Sequence, residues 1–173
     1  VRVEVHLSAG LPGLAIVGMP EAVVRESKDR VRSALINSGF EFPVQRITIN
    51  LAPADLPKEG GRYDLPIALG LLAASGQIPS QALAQLVVMG ELALSGELTA
   101  VTGVLSASLA SAATGKTLVV PQANAREARL SEKTPVLAAP HLLALVRHLR
   151  GIEQLAQNPL LACVEPAPQL DLP

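Results

Sequence analysis

Arg46-Ile47-Thr48-Ile49-Asn50-Leu51 is the most strand-like run of the chain, and Leu65 to Ala74 (LPIALGLLAA) is its most apolar stretch. Between them lies Ala52 to Tyr63 (APADLPKEGGRY), rich in Pro, Gly and charge, and Asp64 stands at the head of the apolar stretch. The β-branched residues of the first run predict a strand. The second is apolar on every side and predicts a helix without a solvent face, central and buried. Asp64 is a plausible N-cap for it, with Pro66 tolerated in the first turn. A strand feeding a buried helix through a charged loop makes the fold a mixture of α and β.

Upstream, Val1, Val3, Val5 and Leu7 alternate with Arg2, Glu4 and His6, the period of a half-buried strand. The Gly10 to Gly13 turn leads to the apolar run Leu14 to Val17, and the two segments read as a hairpin. Pro20 opens an amphipathic helix that closes at Ser38-Gly39. At 100° per residue, Val23, Val24, Ser27, Val31, Ala34 and Leu35 fall within an arc of roughly 120°, so one face packs. Downstream, Val87 to Met89, Leu92 to Leu94 and Glu97 to Val101 read as a strand pair around Ser95-Gly96. Helix Val104 to Ala113, strand Thr117 to Val120, helix Ala123 to Leu130, strand Val136 to Ala138 and helix His141 to Arg150 follow. The expected fold is α/β, an α+β sandwich with helices packed on a mixed sheet. Residues 1–151 form one domain, and the acidic, Pro-rich residues 152–173, which contain no Lys or Arg, read as a linker.

Of the 173 residues, 49% are hydrophobic and 17% charged, a composition that folds instead of staying disordered. Fourteen Lys and Arg against fifteen Asp and Glu leave a formal charge of −1, which excludes a strongly basic nucleic-acid module but not a local basic face. The only aromatics are Phe40, Phe42 and Tyr63, too few for a base-stacking platform. Cys163 is the single cysteine, so neither an internal disulfide nor a structural zinc site is expected, and a reducing cytoplasm fits. No apolar run approaches the ~20 residues of a membrane span, and no signal segment opens the chain. The start at Val1 inside an alternating pattern leads us to expect part of a longer polypeptide.

Thr114-Gly115-Lys116-Thr117 imitates the end of a phosphate-binding loop, but Ala110 replaces the first glycine and the order is helix then strand, so Gly115 reads as a helix stop. His141 and His148 lie about 10.5 Å apart along one helix, too far to share a metal, and His6 is remote in sequence. These three histidines read as structural. On the first helix, Arg25, Lys28 and Arg32 form a basic stripe beside the packed face. The pairs Glu21–Arg25, Arg25–Asp29 and Glu26–Arg30 are spaced to neutralise one another at ~0.2–0.5 kcal/mol each. The alternative is phosphate contact, joined by Arg46, Lys58 and Arg62 if folding brings them to one rim. The loop Asn50 to Asp64 either presents polar groups on a rigid scaffold or serves capping and ion pairing.

Gly10-Leu11-Pro12 with Ile16-Val17-Gly18-Met19-Pro20, Val24-Arg25-Glu26-Ser27, Arg30-Val31-Arg32, Asn37-Ser38-Gly39-Phe40, Ile47 through Gly60, Tyr63 through Leu69, and Gly90 through Gly96 together resemble the N-terminal domain of the YifB/ComM family of magnesium-chelatase-like AAA+ ATPases. The resemblance covers nearly the whole chain before the tail. It implies a Lon-proteolytic-domain-like fold, shared with a ribosomal-protein second domain. It also implies an ATPase module beyond the tail that binds ATP and Mg2+ and forms a homo-hexamer. For the whole protein it implies a DNA helicase promoting branch migration in natural transformation, with branched or single-stranded DNA as partner. The chelatase of the family name refers to the ATPase module and implies no magnesium insertion.

Aligned with Lon, Pro57-Lys58-Glu59-Gly60-Gly61-Arg62 puts Arg62 at the serine nucleophile, and Thr102-Gly103-Val104-Leu105 puts Leu105 at the lysine base. Neither side chain can do that chemistry, so no peptidase activity is expected. A kinase-type phosphate loop is disfavoured because Asp64 would repel the anion at the helix start. Two roles follow: a non-catalytic accessory domain of a DNA-remodelling ATPase, or a domain recruiting a substrate or partner protein to an unfoldase-like ATPase. No catalytic residue, cofactor or metal is assigned to this chain.

Overall fold

The computed structural model describes residues 1–155 and the backbone of residues 157–158. The run singled out first is the strand β3, Arg46–Ala52, and its alternation is complete: Ile47, Ile49 and Leu51 are buried while the residues between them are not. β3 lies between β1 (Arg2–Ser8) and β2 (Gly13–Val17), antiparallel to the first and parallel to the second. The expected hairpin is therefore wrong. β1 and β2 do not pair, because the strand with the largest buried apolar face takes the central place and leaves the two half-buried strands at the edges.

The first helix is kinked. It runs as α1, Ala22–Arg25, and α2, Ser27–Asn37, with Glu26 between them still in the right-handed region. Pro20 stands outside it, in a parallel bridge to Lys58. The bonds that bracket Pro20, Lys58 N–H to Met19 O (3.2 Å) and Glu21 N–H to Lys58 O (3.0 Å), need no donor from Pro20 itself. Val24, Ser27, Val31, Ala34 and Leu35 pack as expected, whereas Val23 is 45% exposed. α3, Asp64–Ala74, is the buried helix, with Leu65, Ile67, Ala68, Leu69, Leu71 and Leu72 all inside. It crosses β1 at Gly70, where a β-carbon would lie 2.6 Å from the Val5 side chain.

β4 (Leu86–Val88), β7 (Thr117–Pro121) and β8 (Val136–Ala139) form a parallel set, to which Gln157–Asn158 adds antiparallel as β9. Thus Leu86–Val88 joins this second sheet, and only β5 (Glu91–Leu92) and β6 (Leu98–Thr99) make the expected pair around Ser95-Gly96. Both faces of the second sheet are covered, as parallel strands require. Leu118, Val120, Val136 and Ala138 pack with Val104 of α4 (Val104–Ala112) and Ala128 of α5 (Ala125–Arg129). Val119, Leu137 and Ala139 join the main core with Leu142, Leu145 and Val146 of α6 (Leu142–Leu149). The chain is an α/β fold of small mixed and parallel sheets. Of the linker expected over 152–173, Gln157–Asn158 pair with β8, and residues 156 and 159–173 lie outside the described residues.

Candidate functional site

The loop from Asn50 to Asp64 ends in two buried charges. Lys58 has no exposed surface. Its ammonium donates to Gly18 O (2.6 Å) and to Pro53 O, which ties the loop to the segment leaving β2. Gly18 is required at this junction: its φ is +107°, and a β-carbon there would run into the Leu51 carbonyl. Lys58 is thus withdrawn from the proposed phosphate-contact set, because a buried ammonium held by two carbonyls reaches no ligand.

Asp64 does not cap its own helix; Tyr63 occupies the N-cap position, without a side-chain cap. The fully buried Asp64 carboxylate instead accepts four bonds: from Ser27 Oγ (2.5 Å), Arg30 Nε (2.7 Å), Arg30 Nη2 (3.0 Å) and the Leu92 N–H (3.0 Å). Four donors saturate a carboxylate. One side chain therefore fastens α2, α3 and β5 together. The hydrogen bond to Asp64 raises the Arg30 guanidinium above its ordinary value, against the opposing effect of burial. Sequence reasoning paired Arg30 with Glu26, which does lie 3.7 Å away, but missed the dominant partner. The available signal was Ser27, a hydroxyl on the packed arc, which demanded a buried acceptor.

Arg62 sits in a short 3-10 turn, Gly61–Tyr63, anchored by Gly90 N–H to Arg62 O (3.1 Å). Its half-buried guanidinium turns toward the start of α4: Nη1 lies 3.3 Å from where a Gly103 β-carbon would be. Leu105, two residues on, has its N–H held by Glu127 Oε2 at 3.2 Å. The two stretches aligned with the Lon dyad are thus neighbours, carrying a guanidinium and an alkyl chain. Burial raises the Tyr63 phenol above its ordinary value; Arg62 pulls it down and Glu59 adds to the rise.

The six basic residues named from sequence do not form one rim. Arg25 is exposed on α1, which packs beside the 61–63 turn. Lys28 and Arg32, exposed on α2, line a groove of about 640 Å³ between α2, the start of β2 and residues 40–45. Arg46 stands at the same end of the sheet, opposite Gly13 in register. Arg32 lies over the Phe42 ring at 5.4 Å. Neither Glu21–Arg25 nor Arg25–Asp29 closes to an ion pair among the described residues.

Gly115, with φ +72°, joins the end of α4 to β7, so the Thr114–Thr117 string is a helix stop and offers phosphate no cradle. His141 caps α6, its Nδ1 accepting from Leu143 N–H at 3.0 Å, and His148 Nδ1 accepts from Leu155 N–H. Among the described residues no group of three His, Cys, Asp or Glu could hold a metal ion. No described helix is long and apolar enough to cross a membrane.

A family model described as subunit ChlI of Mg-chelatase matches residues 3–124. Competence protein ComM of Haemophilus influenzae is 52% identical over 155 residues, covering 90% of this chain and 30% of that protein. Uncharacterized protein YifB of Escherichia coli is 49% identical over 172 residues, covering 99% of this chain and 34% of that protein. The chain spans about a third of the length of the curated relatives it matches.

Proposed function

The chain belongs to the family described as subunit ChlI of Mg-chelatase, and from that membership we propose that it is the non-catalytic, Lon-like N-terminal domain of a magnesium-chelatase-like AAA+ ATPase. The whole protein would be a ComM-like DNA helicase, cytoplasmic and hexameric, whose ATPase module binds ATP and Mg2+ and promotes branch migration in natural transformation. The 52% identity to a protein named for competence carries this reading. Support for the Lon-like assignment comes from the Arg62 guanidinium beside Gly103, the neighbour relation a two-residue active site requires. Support for the lack of catalysis comes from Arg62 and Leu105 themselves, since neither can serve as nucleophile or base. On this reading casein incubated with the purified domain stays intact, and cleavage sensitive to a serine reagent would overturn it.

DNA contact by this domain would fall to Arg25, Lys28, Arg32, Arg46 and Arg62. Six copies around a ring multiply a weak contact through effective concentration, so a nearly neutral single copy is no obstacle. Such contact is independent of base sequence and weakens steeply with salt. The test is a salt series of branched-DNA binding by the full-length hexamer, with and without Arg25→Glu and Arg32→Glu. Loss of affinity with a shallower salt slope is expected, and unchanged values would remove the helix from the DNA surface. The second reading, recruitment of a substrate or partner protein, is favoured by one observation: the uncharged edge of β2, free among the described residues, with a groove at its start.

A further inference from the structure

The first sheet has two free edges among the described residues, and they are built differently. β1 carries Arg2, Glu4 and His6 along its exposed positions. Charges of this kind keep foreign strands from pairing with an open edge. β2 reads Gly13-Leu14-Ala15-Ile16-Val17, with no charge and no proline inside it. Leu11 before it is 83% exposed, Val17 44% and Met19 after it 52%. An unguarded, apolar edge strand is a template for strand addition.

The groove of about 640 Å³ meets this edge only at its start, where Pro12, Gly13 and Leu14 line it, and continues between α2 and residues 40–45. Leu14, Ile36 and Phe42 give it apolar walls, and Arg32 stands in it. The guanidinium is held against Phe42, yet it makes no hydrogen bond or ion pair among the described residues. Asp29 and Glu41, the carboxylates of the same groove, both lie beyond 4 Å of it. A planar, pre-oriented fork with unused donors matches a carboxylate. In an added strand alternate side chains share one face, so one face of the incoming segment would carry both the apolar residues and the acidic one.

We infer that the free edge of β2 and its groove form a docking site for an extended segment of a partner protein, which adds as a strand, fills the groove with apolar side chains and pairs an acidic residue with Arg32. This deepens the partner-recruiting reading and rests on it.

The probe is the fluorescein-labelled peptide Ser-Val-Thr-Val-Thr-Glu-Thr-Ser, which places Val, Val and Glu on one face, together with its counterpart carrying Lys in place of Glu. Against the 173-residue chain, the Glu peptide is expected to bind at least about tenfold more tightly than the Lys peptide. Arg32→Glu should reverse that preference, and the gain for the Lys peptide shows that the variant is folded. Bound Glu peptide should slow hydrogen exchange at the amides of 13–17. Equal affinity for both peptides, an unreversed preference in Arg32→Glu, or protection confined to β1 would overturn the site alone. Absence of binding by either peptide at about millimolar concentration would overturn the partner-recruiting reading with it. Self-association abolished by Val17→Lys would make a second copy the occupant and overturn the proposed partner.

Discussion

Lys58 and Asp64 close the same loop and are both fully buried, yet they are held in opposite ways. Asp64 meets a countercharge that donates twice and two further donors, drawn from α2 and β5. Lys58 meets only carbonyl oxygens, with no carboxylate within 4 Å among the described residues, and both carbonyls belong to connecting segments. The first arrangement fastens layers of the fold to one another. The second fastens one loop to another and leaves the charge balanced by dipoles alone. Burial by itself therefore does not rank the two positions; what each group would leave behind if removed does.

The largest effect is expected at Asp64. Asp64→Ala leaves the Arg30 guanidinium partly buried without its partner and the Leu92 N–H without an acceptor, at a cost of about 3–5 kcal/mol. Urea unfolding at pH 7 measures it, and a loss below about 1 kcal/mol would end the claim that this carboxylate fastens the layers. Lys58→Met keeps most of the volume and removes the charge together with its desolvation cost. Only two carbonyls lose a donor, one of them on the exposed Pro53, so about 1–3 kcal/mol is expected in the same experiment. Equality of the two losses would break the comparison.

The smallest effect belongs to Tyr63, which lies between the two charges. Because burial raises its phenol, the folded state resists ionisation. That contribution to stability is complete below the ordinary value of 10.0 and is lost as pH rises through the higher folded value. Wild type should therefore lose stability more steeply above about pH 10 than Tyr63→Phe. Thermal midpoints between pH 8 and 11 would show this, and parallel curves would mean that the phenol ionises freely in the folded chain.

The elements that sequence made legible are those their own residues define. Arg46 to Leu51 alternates as a half-buried strand does, and Leu65 to Ala74 is an apolar run long enough to be a buried helix. The order of strands was not legible, because alternation in Val1 to Leu7 and the apolar run from Leu14 fit a hairpin as well as two edges of β3. At the candidate site, the neighbour relation of Arg62 and Gly103 followed from resemblance alone; nothing in spacing brings residues 41 apart together. Arg25, Lys28 and Arg32 are each exposed, but the break at Glu26 puts the first on α1 and the other two on α2. Lys58 was misjudged because a lysine in a charged loop is ordinarily solvated, and its burial depends on carbonyls contributed by residues 18 and 53. Asp64 was misjudged because capping is a local explanation, whereas its partners come from residues 27, 30 and 92.

The central place of β3 also sets a schedule for synthesis. A ribosome delivers β1 and β2 first, and neither has a sheet partner until Ala52 has left the exit tunnel. At about 5–20 residues per second, the 35 residues from Val17 to Ala52 take roughly 2–7 s to add. Throughout that interval both strands wait unpaired, and the uncharged one is open to whatever a nascent chain meets.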